Sequence, residues 1–595
     1  MDVKDAYVGR IRREQARVDQ LKKIKKYCGL GRLFSFLGAI ILFFAFLDTD
    51  GSMAAALAIL MLLIFLAVAL KDMKNSRRLH HHETLLRINE EELEALEQRY
   101  PDLQADGFRP PEDHPYANDL DIFGNHSLFR FIDRTTSAPA SALLALRLMQ
   151  PASMDKINLW QDASRELRDE IDWRQELQAR GRRAKLSRQA DRQIRHWAST
   201  GSGDALGAPA WIIFTLPAVT LALAIAAYQG WTSWRILWLP FWAHLGVMWW
   251  TGKKVIPVYN ALSQAINPLE AFRINLEALL SKSFAAPHLQ DLQQRCRIGD
   301  QRADKALKAL GKILDGMDLR LNPLVYLPLN FVIFLDWRLH RRLLRWKSLY
   351  GEALPTWLDA LAETEVLCCF ANTAFNHPDW CFPQIIDGPF HFSATDLGHP
   401  LLPEAKRVCN DITIEGRKKI LLITGSNMAG KSTFLRTVGV NMVLAMAGGP
   451  VCARKLAMPE LLVLSSMRIA DNLEENISTF YAELKKLETI IKRVRAHEPV
   501  FLLLDEILRG TNSQDRHAGA VALIRQLLAE EAVGILATHD LALTDIAGES
   551  QGQVLNYHFD VQVKGEELFF DYRLKPGVCT SMNATLLMRK IGIHL

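Results

Sequence analysis

Gly425-Ser426-Asn427-Met428-Ala429-Gly430-Lys431-Ser432 follows the apolar run Ile420-Leu421-Leu422-Ile423-Thr424 and precedes a helix-like segment from Thr433 to Ala447. The order strand, glycine-bounded loop, helix is the context in which GxxxxGK[ST] has a physical meaning. Gly425 and Gly430 let the loop wrap so that backbone N–H groups and the helix N-terminus face phosphates. Lys431 then reaches the β- and γ-phosphates, and the Ser432 hydroxyl ligates magnesium. The ATP-binding set is Gly425, Ser426, Asn427, Met428, Ala429, Gly430, Lys431, Ser432 and Thr433. An incidental glycine turn is the competing reading, and the downstream residues disfavour it.

Downstream, Pro499-Val500-Phe501-Leu502-Leu503-Leu504 is a continuous apolar run that closes in Asp505-Glu506, as expected of a buried central strand in a parallel sheet. Asp505 suits the magnesium shell together with Ser432, and Glu506 suits the role of general base toward water. A third run, Val533-Gly534-Ile535-Leu536-Ala537, ends in Thr538-His539-Asp540. That places His539 at a carboxyl strand edge, where sheet ligands bind. The catalytic candidates are Glu506, His539 and Lys431.

The remainder of the 595 residues has a different character. With 49% hydrophobic and 23% charged residues, apolar side chains must be concentrated somewhere. Leu33–Leu47 and Met53–Leu70 carry no charge, flank the acidic turn Asp48-Thr49-Asp50-Gly51, and have Lys22, Lys23, Lys25, Lys26, Lys71, Lys74, Arg77 and Arg78 outside them. The positive-inside rule puts both ends of this hairpin in the cytoplasm. Pro209–Tyr228 and Ile236–Trp250 form a second such pair, with tryptophans at the run ends and Lys253-Lys254 beyond. Leu324–Leu335 is too short to span and is expected to pack in a core. Glu83–Tyr100 has the three- and four-residue spacing of an amphipathic stalk helix. His80-His81-His82 is explained by solvated juxtamembrane positions more readily than by a metal. A net charge of +5 does not mark the whole chain as a nucleic-acid binder. The eight cysteines form no CxxC pair, and the charged N-terminal residues lack a cleavable signal, so a reducing cytosolic face is expected.

GSNMAGKSTFLRTVG, LLLDEILRGTNSQDR, ATHD and Ser478-Thr479-Phe480-Tyr481-Ala482-Glu483 together resemble the MutS family of ABC-type ATPases, as does Tyr572-Arg573-Leu574-Lys575-Pro576-Gly577. The likeness is specific from about Leu397 onward. It is weaker at His114-Pro115-Tyr116 through Arg134-Thr135 and at Trp357–Ala362, which resemble parts of the family's helical core and lever. The resemblance implies a homodimer through the ATPase domains, in which Ser478 approaches the partner's nucleotide. Asn476 and Leu508 stand where that family usually has glycine. No counterpart of the mismatch-reading domain is recognisable, so mismatch recognition is not carried over residue by residue, and DNA stays a possible but unproven partner.

The expected fold is an α/β P-loop (ABC-type) ATPase domain, C-terminal to a largely α-helical core and lever region with two transmembrane helical hairpins. The expected divisions are 1–107 (first hairpin and amphipathic helix), 108–208 (helical core), 209–254 (second hairpin), 255–390 (lever and core continuation) and 391–595 (ATPase domain). The function expected is that of a multi-pass protein of the cytoplasmic membrane that uses ATP and Mg2+ on its cytoplasmic side to close a dimer and move helical levers. A tethered DNA-binding, repair-like protein is the alternative. A transporter is disfavoured by four spans and by STF in place of LSGGQ.

Overall fold

The computed structural model describes residues 2–49, 52–99, 108, 110–111, 113–200, 210–263, 266–426, 429–467, 479–564 and 567–579. Its C-terminal part is built on a six-stranded sheet: β1 (Lys419–Thr424), β2 (Leu462–Ser466), β3 (Val500–Asp505), β4 (Val533–Ala537), β5 (Val554–Lys564) and β6 (Glu567–Pro576). The order across the sheet is β6-β5-β1-β4-β3-β2, parallel throughout except for the antiparallel β5–β6 hairpin. The continuous apolar runs become β1, β3 and β4 because both of their faces are covered, and Leu421, Leu422, Leu503 and Ala537 are fully buried. Gly534 is required by close approach, since a Cβ there would stand 2.4 Å from the Leu502 carbonyl oxygen on β3. A second, four-stranded sheet contains Gln384–Ile386, His391–Leu397, Asn410–Glu415 and Lys455–Pro459. It therefore begins before residue 391. The segment around His114-Pro115-Tyr116 also joins this domain: Ser465 on β2 donates its backbone N–H to the Pro115 carbonyl at 3.0 Å, and Leu120 and Phe131 lie in the domain's main core.

The N-terminal part consists of two very long helices, α1 (Val3–Thr49) and α2 (Ser52–Leu96), packed side by side. The amphipathic segment expected from residue 83 is thus the continuation of the second apolar run, with no break between them. Hydropathy changes partway along each helix while the backbone hydrogen bonding does not. At the change, Arg32 pairs with the buried Asp72 across the two helices at 3.1 Å. Beyond it, polar side chains dock this pair onto a helical body containing α3 (Ala138–Met149), α4 (Met154–Arg168) and α5 (Ile171–Arg183). The Tyr7 hydroxyl donates to Asn376 at 2.6 Å, and the side-chain amides of Asn89 and Gln175 donate hydrogen bonds to each other's oxygen. Buried Glu92 accepts from Arg134, Asn372 and Asn376. Those partners outweigh burial and hold the Glu92 carboxyl below the usual range. His81 and His82 are taken up by Glu176 and Glu14, at 3.2 and 2.7 Å.

Next come α6 (Ala210–Tyr228), α7 (Trp238–Ser263), α8 (Ile266–Ser281), α9 (Ala303–Asp318), α10 (Pro323–Ile333), α11 (Leu335–Tyr350) and α12 (Leu354–Asn376). α6 continues through Pro217, and Pro240 falls in the first turn of α7, where the missing N–H costs nothing. Three described helices, α1, α2 and α6, are long and apolar enough to cross a membrane by length and composition; α7, which carries the fourth apolar run, is not among them. α12 is sheathed on nearly all sides, with Trp357 fully buried. Its start lies among the helices, and near its end Asn372 and Asn376 reach Glu92 on α2 while Phe370 joins the core that also holds Phe392 of the four-stranded sheet. The core packing expected for Leu324–Leu335 is not observed, because the apolar face of α10 is open.

Candidate functional site

The first strand hands over to helix α13 (Lys431–Met446) through the glycine-bounded loop. Gly425 has φ +148 and Gly430 φ +100, and a Cβ on either would come within 3.0 Å of the Phe559 carbonyl or the Tyr572 ring. Both positions therefore need glycine for conformation and for space. Asn427 and Met428 lie outside the described residues, as do Asn476 and Ser478.

Around this loop the parallel sheet gathers side chains from three strand ends. The Ser432 hydroxyl donates to Asp505 at 2.5 Å, joining the start of α13 to the end of β3. The other carboxylate oxygen of Asp505, Oδ1, is buried with no hydrogen-bond partner. A buried oxygen with an open lone pair beside a hydroxyl suits a hard divalent cation such as magnesium. Lys431, nearly fully buried, donates to the carbonyls of Gly425 and Ser426 at 2.8 and 3.1 Å and lies 3.2 Å from His539 Nε2. Burial draws its ammonium down to about 8, against the pull of Glu506 and Asp505.

His539 arrives at the end of β4, where the sequence pattern puts it, and approaches Glu506 at 2.5 Å. The hydrogen bond with His539 is the main reason that the Glu506 carboxyl lies below its ordinary range. Arg509 reaches the other Glu506 oxygen at 3.0 Å. The site thus brings together Gly425, Ser426, Gly430, Lys431, Ser432, Asp505, Glu506 and His539. Ala429 is buried within the loop and Thr433 sits in the first turn of α13, its carbonyl accepting from Thr437.

Two features escape sequence reasoning. Glu506 and Leu508 have left-handed backbones, with φ of +47 and +60. Where the resemblance leads one to expect a glycine, Leu508 takes the left-handed conformation that favours glycine and buries its side chain. The loop is clamped by Glu483, on helix α14 (Thr479–Arg495), whose carboxylate accepts the N–H of Leu508 at 2.5 Å and of Arg509 at 3.2 Å. Burial raises the Glu483 carboxyl despite those two donors. The same helix is tied to the segment that follows His114-Pro115-Tyr116 by Lys486, which meets buried Asp119 at 2.7 Å. Glu483 lies within the motif quoted above, but nothing in its spacing shows that it reaches the loop after Asp505-Glu506.

A lysine, a hydroxyl, two carboxylates and a histidine, gathered at the carboxyl ends of parallel strands around one glycine-bounded loop, form an arrangement suited to a polyphosphate and a divalent cation. Residues 421–590, which contain nearly all of this site, match the family model of MutS domain V. The chain is also 33% identical over 239 residues to the DNA mismatch repair protein MutS of Natronomonas pharaonis, covering 39% of this chain and 27% of that protein. To the DNA mismatch repair protein MutS of Oleidesulfovibrio alaskensis it is 34% identical over 212 residues, covering 34% and 23%. The chain thus spans about a quarter of the length of the curated relatives it matches.

Proposed function

We propose that the chain is a membrane-anchored ATPase of the MutS type, which binds ATP with Mg2+, hydrolyses it, and couples the cycle to closure of a homodimer and movement of its helical levers. The observation that carries this reading is the junction of Ser432, Asp505, Glu506 and His539 beside the phosphate loop. Magnesium, when bound, supplies charge neutralisation at the phosphates. Ser432 and Asp505 would hold it, the unpartnered Asp505 oxygen turning toward it. Lys431 exchanges its carbonyl partners at Gly425 and Ser426 for phosphate oxygens. Glu506 accepts a proton from the attacking water, and His539 orients Glu506. Asn427, Met428, Ala429 and Thr433 complete the ATP-binding set, and Ser478 serves the partner subunit's nucleotide.

The membrane reading is supported by α1, α2 and α6, each with an exposed apolar face, and by the lysines and arginines that flank the apolar runs. The ATPase domain then faces the cytoplasm, with α1 and α2 emerging as a stalk that docks on α5 and α12.

The relatives, both DNA mismatch repair proteins, favour a second reading, a tethered DNA-binding protein of the repair class. One experiment addresses both: ATP hydrolysis by the detergent-purified full chain, wild type and Glu506→Gln, with and without duplex DNA carrying a mismatch. Slow turnover with retained ATP in the variant supports the ATPase assignment, and wild-type turnover there would sink it. Stimulation by DNA favours the second reading, and indifference favours a membrane machine.

A further inference from the structure

The segment from Arg320 to Arg338 is built inside out for a water-soluble surface. Leu321 is 77% exposed and Leu324 88%, and Val325, Leu327, Leu329 and Val332 are exposed as well. No charged residue falls between Asn322 and Leu335. The polar groups face inward instead. Asp336, 1% exposed, accepts from Arg320 Nε at 2.9 Å, from the Tyr326 hydroxyl at 2.5 Å and from Asn330 at 3.1 Å. The Asn330 oxygen in turn accepts the Asp336 N–H at 3.0 Å. The chain reverses between α10 and α11 at Phe334, which is left-handed (φ +49) and buried. An irregular turn wrapped in side chains, with its ion pair turned inward and an apolar outer face, is the construction that hydrocarbon permits and water does not require.

Neighbouring contacts set the depth of this element. Asp318, just ahead of it, accepts from Tyr259 at 2.8 Å. At its far end, Phe331 and Phe334 stack on His244, with centroids 4.7 and 5.1 Å away, and Phe334 packs with Ile213. From Tyr259 to His244 along α7 is about 22 Å, and the Lys253-Lys254 pair lies between them. The turn therefore reaches the inner half of the apolar stretches of α6 and α7, while its base stays beyond the lysines. On α11, Arg338 lies over the Phe214 ring at 5.5 Å, and Arg338, Arg341, Arg342 and Arg345 are exposed along the same helix.

We propose that α10 and the start of α11 form a re-entrant helical hairpin seated in the cytoplasmic leaflet beside α6 and α7, its apolar face against lipid acyl chains and the α11 arginines at anionic headgroups. The proposal rests on the membrane reading above and extends it to a segment too short to span. α10, at about 16 Å, matches one leaflet and not a bilayer. Continuity with the apolar surface of α6 and α7, and the match of four arginines to phosphate charge, select lipid as the occupant.

The test is photocrosslinking of the full chain, reconstituted in vesicles of phosphatidylethanolamine and phosphatidylglycerol. p-Benzoylphenylalanine is placed singly at Leu324, Leu327 or Val332, with Leu57 in the first hairpin and Leu349 at the far end of α11 as references. The expected result is a mass shift of one phospholipid at Leu57, Leu324, Leu327 and Val332, and none at Leu349. Lipid adducts at Leu57 with none on α10, or α10 crosslinked to a second copy of the chain, would overturn the hairpin and leave the membrane reading standing. Loss of the adduct at Leu57 as well would overturn both.

Discussion

Replacing Glu483 by alanine tests whether α14 controls the catalytic carboxylate of the proposed ATPase. Glu483 is 3% exposed, and its carboxylate accepts two backbone N–H groups from the loop that follows Glu506. Each donor left buried and unmatched costs about 1–3 kcal/mol. Partial rehydration of the less buried Arg509 N–H leaves about 3 kcal/mol in favour of a rearranged loop. If Glu506 is misplaced in that rearrangement, kcat should fall by roughly a hundredfold. Because Lys431 and the glycine loop are untouched, KM for ATP should stay close to wild type. Glu483→Gln keeps one acceptor and gives up the charge-assisted bond, which costs about 1 kcal/mol, roughly fivefold in kcat. Steady-state hydrolysis, with kcat and KM determined separately, reads these outcomes. An alanine variant that folds and keeps kcat within about twofold of wild type would refute the reasoning.

Other outcomes follow from the same geometry. Gly534→Ala forces a Cβ to within 2.4 Å of a backbone oxygen and should destabilise the sheet by about 3 kcal/mol, seen as a lower melting temperature. Ser432→Ala removes the hydroxyl 2.5 Å from Asp505 and should raise the magnesium concentration needed for half-maximal hydrolysis roughly tenfold, while chelation of magnesium should abolish turnover in both forms. His377 and His399 are each pushed by burial from 6.5 down to about 4. A histidine neutral in the fold and protonated when unfolded contributes nothing above pH 6.5 and loses stability as pH falls from there toward 4, about 3 kcal/mol per residue. Denaturation midpoints across that window should fall, and His377→Phe should flatten the slope.

The glycine-bounded loop between β1 and α13 was legible because its pattern is local: two glycines, a lysine and a serine at fixed spacing between a strand and a helix. Asp505, Glu506 and His539 could be read because apolar strands ended in them, and a parallel sheet delivers its strand ends to one edge. Glu483 and Asp119 depend on contacts across long stretches of chain, to the 506–509 loop and to Lys486, which no periodicity encodes. The unbroken α1 and α2 were hidden because hydropathy reports surroundings, and surroundings change along a helix whose hydrogen bonding does not. Leu324–Leu335 was misread for a related reason. A short apolar run is ambiguous by length alone, and only the inward ring of Arg320, Tyr326, Asn330 and Asp336 shows which side of it is the outside.

The continuity of α1 and α2 also has a mechanical meaning. Neither helix has a hinge at the level of Arg32 and Asp72, so each behaves as a single rod of about 70 Å. Tilting a rod of that length by about 10° at its base carries the opposite tip about 12 Å sideways. Glu92, Tyr7 and their partners clamp the base to α12, so a modest rotation of the helical body would reach the far tips enlarged, as the deflection of a pointer enlarges the turn of its spindle.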